Sequence, residues 1–256
     1  MSLIDLWEGD SPSAWEAHWG VPRLEIHDLI GSTNDRAREL AEMGAQAFTA
    51  VIAEGQSAGR GRSGRRWESP RGSGLWFSIV APRVQRTERS LVSLRAGLAT
   101  CRAVERAAPG VRAGFKWPND VLLAGRKVSG ILCEGGPGTI VVGVGVNVRA
   151  GSLPADLTDV GVALDEVAAE PVDRAALAGF LVAELRVLLA GVALSLEGSI
   201  GRELDARDVL RDRAVAAETG EVGIARGIDR DGALRVEVEP GRVRRVVAGG
   251  VRIRAD

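Results

Sequence analysis

The 256-residue sequence predicts an α+β fold, with helices packed against strands through most of the chain and a small all-β domain at the C-terminus. Three observations predict it. Apolar residues recur at helical spacing in Leu91, Leu94, Leu98 and Cys101, and again in Leu177, Phe180, Leu181, Leu185 and Leu188. Apolar runs of strand length, such as 48–54, 75–81 and 139–148, stand apart from those helices. After Ala214 the pattern becomes a strict alternation, with Leu234, Val236 and Val238 set against Arg235, Glu237 and Glu239.

Taken in order, residues 1–20 hold Trp7, Trp15 and Trp19 without clear periodicity and are expected to pack as an irregular or short helical strap. Residues 23–27 alternate as a strand, and Ser32 or Thr33 can cap a helix that runs to Met43 and stops at Gly44. A strand at 48–54 leads into a glycine- and arginine-rich loop over 55–74, followed by a strand at 75–81 and a core helix over 88–108. Three strands are expected next, at 111–117, at 121–134 folded back at Ala124-Gly125, and at 139–148. Asp173 caps the helix that carries Leu177 to Leu188, and a second helical segment spans 201–211. Turns at Asp231-Gly232 and Pro240-Gly241 divide the last strands, which continue to Ile253. The implied organisation is a strap over 1–20, a main domain over 21–212 and a small β-barrel over 213–256.

Composition narrows the function. Hydrophobic residues make up 45% and charged residues 26%, so the chain has the means to bury a core. With 33 basic against 34 acidic residues the net charge is −1, and no global positive field draws nucleic acid or anionic membrane to it. Cys101 and Cys133 lack CxxC spacing and form no ligand cluster with His18 and His27, which argues against structural zinc and against a disulfide framework. Asp5, Glu8 and Asp10 stand where a signal peptide would be basic, and the apolar stretch 180–196 is interrupted by Glu184 and Arg186, so a soluble cytoplasmic protein is expected. Of the 33 basic residues only two are lysine, Lys116 and Lys127, eleven positions apart. A GC-rich genome explains scarce lysine but not why the two fall together, and a compact ammonium serves where a flat guanidinium cannot.

Three segments carry chemistry. Gly59 to Gly64 satisfies GxGxxG, but Arg65-Arg66-Trp67-Glu68-Ser69-Pro70 follows instead of an amphipathic helix, so a dinucleotide fingerprint fails on context. What remains is a flexible loop whose Arg60, Arg62, Arg65, Arg66 and Arg71 can grip phosphate or carboxylate; the same composition also suits a solvated basic loop touching RNA. The second segment is Lys116-Trp117-Pro118-Asn119-Asp120, continued by Lys127 and Gly130-Ile131. Its proline forces a turn that displays Asn119 and Asp120 at a strand end, although a plain β-turn favours the same residues. The third, Gly143-Val144-Gly145-Val146-Asn147, puts two glycines inside an aliphatic strand, which weakens the strand unless a ligand or another backbone comes close.

The order Ser32-Thr33-Asn34, then 54–62, then Lys116 to Asp120, Lys127 with Gly130-Ile131-Leu132, and Gly143 to Asn147 resembles biotin protein ligase, and 227–234 resembles that family's C-terminal SH3-like barrel. The resemblance runs through most of the chain from Leu24 onward. It implies a mixed central sheet with flanking helices of the class II synthetase-like type, and a two-step reaction. The biotin carboxylate attacks the α-phosphorus of ATP to give biotinyl-5′-adenylate and pyrophosphate, with Mg2+ as MgATP, and a carrier lysine then takes the biotinyl group. The implied partner is the biotin carboxyl carrier domain of an acyl-CoA or pyruvate carboxylase, without nucleic acid or membrane, in a monomer or a homodimer.

Site residues carried over by the resemblance are Lys127, Arg62, Asp120 and Lys116 for catalysis, Asp120 as the group that helps deprotonate the acceptor lysine. Biotin falls to Ser32, Thr33, Asn34, Gln56, Gly59, Arg60, Gly61, Arg62, Lys127, Gly130, Gly143 and Gly145, the last two leaving room for its chain. The nucleotide falls to Arg60 and Arg62 on the acyl-phosphate, Arg65, Trp67 stacked on adenine, Asn119, Lys127 and Asn147. No resident metal is implied. Members that also repress transcription carry an N-terminal DNA-binding domain, and some twenty residues precede the core here, so no repressor activity is expected. Cys133 is expected to be a packing residue. A lipoate ligase is a competing reading, but its arginine/glycine signature is absent. A nucleic-acid module resting on the arginine loop would show binding that falls steeply with salt.

Overall fold

The computed structural model describes residues 2–83, 88–135, 139–190 and 194–254. Seven strands, β1 (Leu24–Ile30), β2 (Ala50–Gln56), β3 (Gly74–Val80), β4 (Ala113–Lys116), β5 (Asp120–Leu123), β6 (Arg126–Glu134) and β7 (Val141–Asn147), join in the order β1-β2-β3-β7-β6-β5-β4. Only β1 and β2 pair in parallel; every other neighbour is antiparallel, which makes the sheet mixed. The turn between β5 and β6 falls at Ala124 and Gly125, both with positive φ of 48° and 81°, as the sequence predicts for a two-residue hairpin.

The two faces of this sheet differ. One is covered by α3 (Arg89–Ala107) and α4 (Arg174–Leu189), whose Leu94, Leu98, Cys101, Leu177, Leu181 and Leu185 pack with Ile52, Val142 and Val144 in the main core. Asp173 caps α4 as expected, accepting from the N–H groups of Ala175 and Ala176. The other face receives α2 (Thr33–Glu42) at one end, where Ala37 and Leu40 meet Val51 and Val141. Ser32 is the N-cap residue of α2 but makes no side-chain cap bond, because its neighbourhood faces the site described below. Burial pushes the thiols of Cys101 and Cys133 up to about 12, so both are inert packing groups.

The strap is ordered by one short helix, α1 (Pro12–Trp19), with Ser11 as cap, proline in its first turn and Gly20 at φ 65° as its stop. Just ahead of it, Trp7 and Glu8 reach the large sheet. The Trp7 indole donates to Glu54 Oε1 at 2.5 Å, and the buried Arg174 guanidinium bonds Glu8, Glu54 and the Gly74 carbonyl. The strap is thereby tied to β2, two residues before Gln56.

A second, five-stranded antiparallel sheet follows α5 (Gly198–Arg207), with β8 (Ala214–Ala217), β9 (Val222–Ile228), β10 (Leu234–Glu239), β11 (Arg242–Val246) and β12 (Val251–Ile253) in the order β11-β10-β9-β8-β12. The helix at 201–211 expected from sequence lies earlier. It ends at Arg207 because the next residues pair with β4, where Val209 N–H donates to the Phe115 carbonyl at 3.0 Å. The small sheet docks on the large one through its turn at Gly232, whose carbonyl accepts from the Trp117 indole at 2.9 Å.

Two outcomes follow from these contacts. Removing the guanidinium with Arg174→Ala takes away the cation that Glu8 and Glu54 share, leaving Glu54 with the Trp7 indole, and costs about 3–5 kcal/mol in chemical denaturation. Asp208, in the connector to the small sheet, has one buried carboxylate oxygen without a partner among the described residues, and burial pushes its carboxyl up to about 6 despite the Leu210 N–H and Arg211. An acid whose folded pKa is raised gives full stability below its unfolded pKa and loses it as pH rises through the folded value. Asp208→Asn should therefore raise the melting temperature at pH 7.5 by a gain on the order of 1 kcal/mol, and the gain should vanish near pH 4.

Candidate functional site

The uncovered part of the large sheet floors a cavity of about 950 Å3. One row of paired residues crosses five strands there: Trp76, Gly145, Gly130, Asp120 and Lys116. Successive side chains in a strand alternate between faces, so Gly143 and Asn147 share this face with Gly145. The glycines open the floor where valines at 142, 144 and 146 fill the opposite face.

Lys127 reaches the same floor through an irregularity. Between β5 and β6 the register shifts, so that Val121 pairs with Ser129 but Leu122 pairs with Lys127, leaving Val128 as an extra residue. The bulge turns Val128 into the core and Lys127 onto the cavity side, where Lys127 Nζ lies 2.6 Å from Asp120 Oδ1. The backbone of Lys127 is held from outside the sheet as well, donating to the Val160 carbonyl at 2.8 Å and accepting from Val162 N–H at 3.0 Å. Asn147 lines the cavity and donates at 3.4–3.5 Å to the carbonyls of Val162 and Lys127, bracing that segment. Asn119 follows the cis Trp117-Pro118 bond and is fastened to β6 by bonds to and from Ile131 at 2.9 Å, which leaves its Oδ1 turned toward Arg62 at 3.4 Å.

The arginine-rich segment forms a narrow ribbon over the floor. Arg60 bridges Arg66, Trp67 N–H donates to the Gly59 carbonyl, and Gly61 N–H donates to the Arg65 carbonyl at 2.7 Å. The ribbon's tip at 62–64 turns through positive φ at Ser63 and Gly64. Gly59 is buried beneath the ribbon and is not on the cavity wall; a Cβ there would lie 2.5 Å from the Trp67 carbonyl, so its role is to let the ribbon close. Arg60, expected from sequence on the acyl-phosphate, lines the cavity with its guanidinium already paired. Its guanidinium makes a two-pronged pair with Asp35 at 2.6 and 2.8 Å and a third bond to Glu134 at 3.1 Å, and the Arg60 bonds hold the Asp35 carboxyl below its ordinary range. Arg62, Arg65 and Arg66 remain on the wall.

Trp67 lies flat on the two glycines. A Cβ at Gly145 would fall 2.5 Å from its Nε1 and one at Gly130 3.0 Å from its ring, while Lys127 Nζ stands 5.1 Å from the ring centre. The indole N–H is buried and has no hydrogen-bond partner among the described residues. The space expected beside Gly143 is likewise filled, by the Asn34 amide. That amide donates to Glu134 at 2.8 Å and to the Leu132 carbonyl at 3.3 Å, and its oxygen lies 2.7 Å from Ser78 Oγ. Next to it, Thr33 N–H and Oγ1 donate to Gln56 Oε1 at 2.9 and 3.2 Å, and Gln56 Nε2 donates to Ser69 Oγ at 2.8 Å. Ser32 completes this polar end of the cavity.

The site residues carried over by the resemblance all line this cavity except Gly59, while Arg71, the fifth arginine of the loop, lies away from it and pairs with Asp28. Sequence reasoning missed Asp35, Ser69, Ser78 and Glu134, which satisfy the polar end, and missed the lining supplied by Leu153, Leu157 and Asp159. It also missed Glu218 and residues 249–253, which the small sheet contributes. Asp35 stood beside Ser32-Thr33-Asn34 and had a local signal; the others depend on strands and loops remote in sequence.

This geometry defines a mixed α/β fold with flanking helices and a glycine-floored cavity under an arginine ribbon. The chain belongs to the biotin/lipoate A/B protein ligase family, whose pattern matches residues 27–150. It is 36% identical over 241 residues to the biotin–[acetyl-CoA-carboxylase] ligase of Mycobacterium tuberculosis, an alignment covering 91% of this chain and 89% of that relative. A Paracoccus denitrificans protein of the same name is 35% identical over 228 residues, covering 82% and 92%. The bifunctional ligase/repressor BirA of Bacillus subtilis is 37% identical over 160 residues, and the chain spans about half (49%) of that relative's length. The fold is that of the biotin protein ligase from Aquifex aeolicus solved with biotin and ATP, at a TM-score of 0.76, with 24% identity, 92% of this chain and 100% of that chain covered.

The packing at Gly143 is open to test. A methyl group there would lie 2.2 Å from Asn34 Oδ1, and that amide is held by three partners. Gly143→Ala should cost about 1–3 kcal/mol in urea unfolding. Pairing it with Asn34→Ala should cost less than the sum of the two single changes.

Proposed function

We propose that this protein is an ATP-dependent biotin protein ligase that makes biotinyl-5′-AMP with release of pyrophosphate and passes the biotinyl group to a lysine of a biotin carboxyl carrier domain. The observation that carries this reading is the Lys127–Asp120 pair, at 2.6 Å, in a cavity walled by loop arginines at one side and by a satisfied polar pocket at the other. Relatives named biotin–[acetyl-CoA-carboxylase] ligase align along nearly their whole length and support the same substrate and acceptor.

Joining a carboxylate to a nucleotide brings two anions together, so the site must neutralise their repulsion and hold them in line. Lys127 supplies a compact point charge between them, aimed by the β6 bulge, and Lys116 adds a second ammonium on the same row. Arg62 serves the phosphate, Arg65 holds the turn that carries it, and Trp67 offers its ring face to adenine with Asn119 and Asn147 fixing the wall behind it. Ser32, Thr33, Asn34 and Gln56 suit the ureido group of biotin, with Gly143 admitting Asn34, and Gly130 and Gly145 admitting Trp67, against the strands. Arg60, held by Asp35 and Glu134, positions the ribbon.

In the second step an ammonium must lose a proton before it can attack the mixed anhydride. Asp120 is the base placed for this, and the incoming lysine replaces Lys127 as its partner. Mg2+ would enter with ATP as the counterion of its phosphates. We read residues 213–256 as an SH3-like barrel appended to a class II synthetase-like core at 21–212, and the enzyme as one acting in the cytoplasm on the carrier domain of an acyl-CoA or pyruvate carboxylase. Among the described residues no helix is long and apolar enough to cross a membrane.

Lys127→Ala and Lys127→Arg should both fold but lose biotin-dependent ATP–pyrophosphate exchange by roughly 10²–10³-fold, since the guanidinium cannot occupy the ammonium's position. Wild-type exchange with lipoate in place of biotin, or unimpaired exchange in Lys127→Arg, would overturn the reading.

A further inference from the structure

The arginine ribbon is fastened unevenly. Its base is fixed by backbone bonds from Ser57 to Ile30 and from Ala58 to Gly31, and by Arg60 in its grip on Asp35 and Glu134. Toward the tip the side chains that reach another element are Arg62, at 3.4 Å from Asn119, and Arg65, whose Nη2 lies 2.7 Å from Glu218 Oε1. Glu218 belongs to the small C-terminal sheet, immediately after β8, and lies on the cavity wall. Among the described residues the Arg65–Glu218 pair is the one ion pair between ribbon and small sheet.

Glu218 is set in place before the ribbon meets it. Its Oε2 accepts from Gly250 N–H at 2.6 Å, and its own N–H donates to the Gly250 carbonyl at 2.9 Å. A Cβ at Gly250 would lie 2.7 Å from Glu218 Oε1, and Gly249 has φ 96°, so this pair of glycines is shaped around the carboxylate. With one oxygen fixed by backbone, the other is presented to Arg65. Arg65 N–H also closes the ribbon's turn by donating to the Arg62 carbonyl at 3.2 Å, so holding Arg65 holds the turn that carries Arg62.

We propose that Glu218 is a positioning residue, a latch by which the C-terminal sheet holds the arginine ribbon closed over the reactive intermediate and slows its escape. The proposal rests on the reading that the cavity holds biotinyl-5′-adenylate. Glu218 touches no reacting atom; it acts on the ribbon through Arg65. Because the pair is exposed its effect is modest, and because it is ionic the effect weakens with salt.

The test is a double-mutant cycle on the full-length protein with Glu218→Gln, Arg65→Gln and both together, the first keeping a side chain that can accept from Gly250. The enzyme is loaded with biotin and MgATP, stripped of free nucleotide, and the release of biotinyl-5′-adenylate is timed; trypsin cleavage after Arg66 in the loaded state reads ribbon opening separately. Each single change should speed release by about three- to five-fold at low salt and less at 0.5 M salt, and the double change should be no faster than either single. Unchanged release in Glu218→Gln would overturn the latch. Effects that multiply in the double variant would overturn it too, since Arg65 would then be acting on the nucleotide independently of Glu218. Failure of the wild-type protein to form any adenylate would instead overturn the functional reading, so the two failures are distinct.

Discussion

Across the centre of the large sheet two residues without side chains, Gly145 and Gly130, sit side by side in a row that ends in Asp120 and Lys116, and the site is built on that gap. A Cβ at Gly145 would fall 2.5 Å from the Trp67 ring, which could not then lie against the strand, and one at Gly130 would press on the same ring at 3.0 Å. The opposite face of the same strands is filled by valines packed on α3 and α4. A rigid, fully packed layer therefore backs a floor whose glycine gap receives the Trp67 ring, which is how the ribbon gains a fixed seat.

Charge is arranged with the same economy. The guanidiniums and ammoniums around the cavity meet carboxylates from different elements: Arg60 with Asp35 and Glu134, Lys127 with Asp120, Arg65 with Glu218. These partners keep the cations oriented and separated while no anion is bound, and they differ in how firmly they hold. Arg60 is gripped by two carboxylates and serves as scaffold, whereas Arg65 has one exposed partner and Arg62 only a long bond to an amide.

The N-terminal strap and the small sheet support the site from opposite ends. Trp7, Glu8 and Arg174 bind β2 just ahead of Gln56, the residue that organises Thr33 and Ser69. At the other end Trp117 fastens the Lys116–Asp120 turn to Gly232 of the small sheet. Both additions are small, yet each fixes a strand end from which site residues project.

By itself the sequence determined the elements and most of the site residues, because periodicity, caps and turn chemistry are local. Helical spacing around Leu94 and Leu181, the Asp173 cap, the Ala124-Gly125 hairpin and the alternation at Leu234–Val238 each act within one turn or two strands. The pairing of the only two lysines with an Asn-Asp turn, and the glycines at 143 and 145, marked the site for the same reason: an unusual residue type at a position where the local pattern does not require it. What only the tertiary structure decided was which partner each polar group finds. Pairing register and bulges depend on strands far apart in sequence, so neither the turn of Lys127 onto the cavity side nor the capture of Arg60 by Asp35 and Glu134 could be read from the chain. The filling of the Gly143 and Gly145 spaces by Asn34 and Trp67, the burial of Gly59, and the approach of Glu218 from a separate sheet are contacts of the same kind, set by how the layers pack and not by any neighbouring residue.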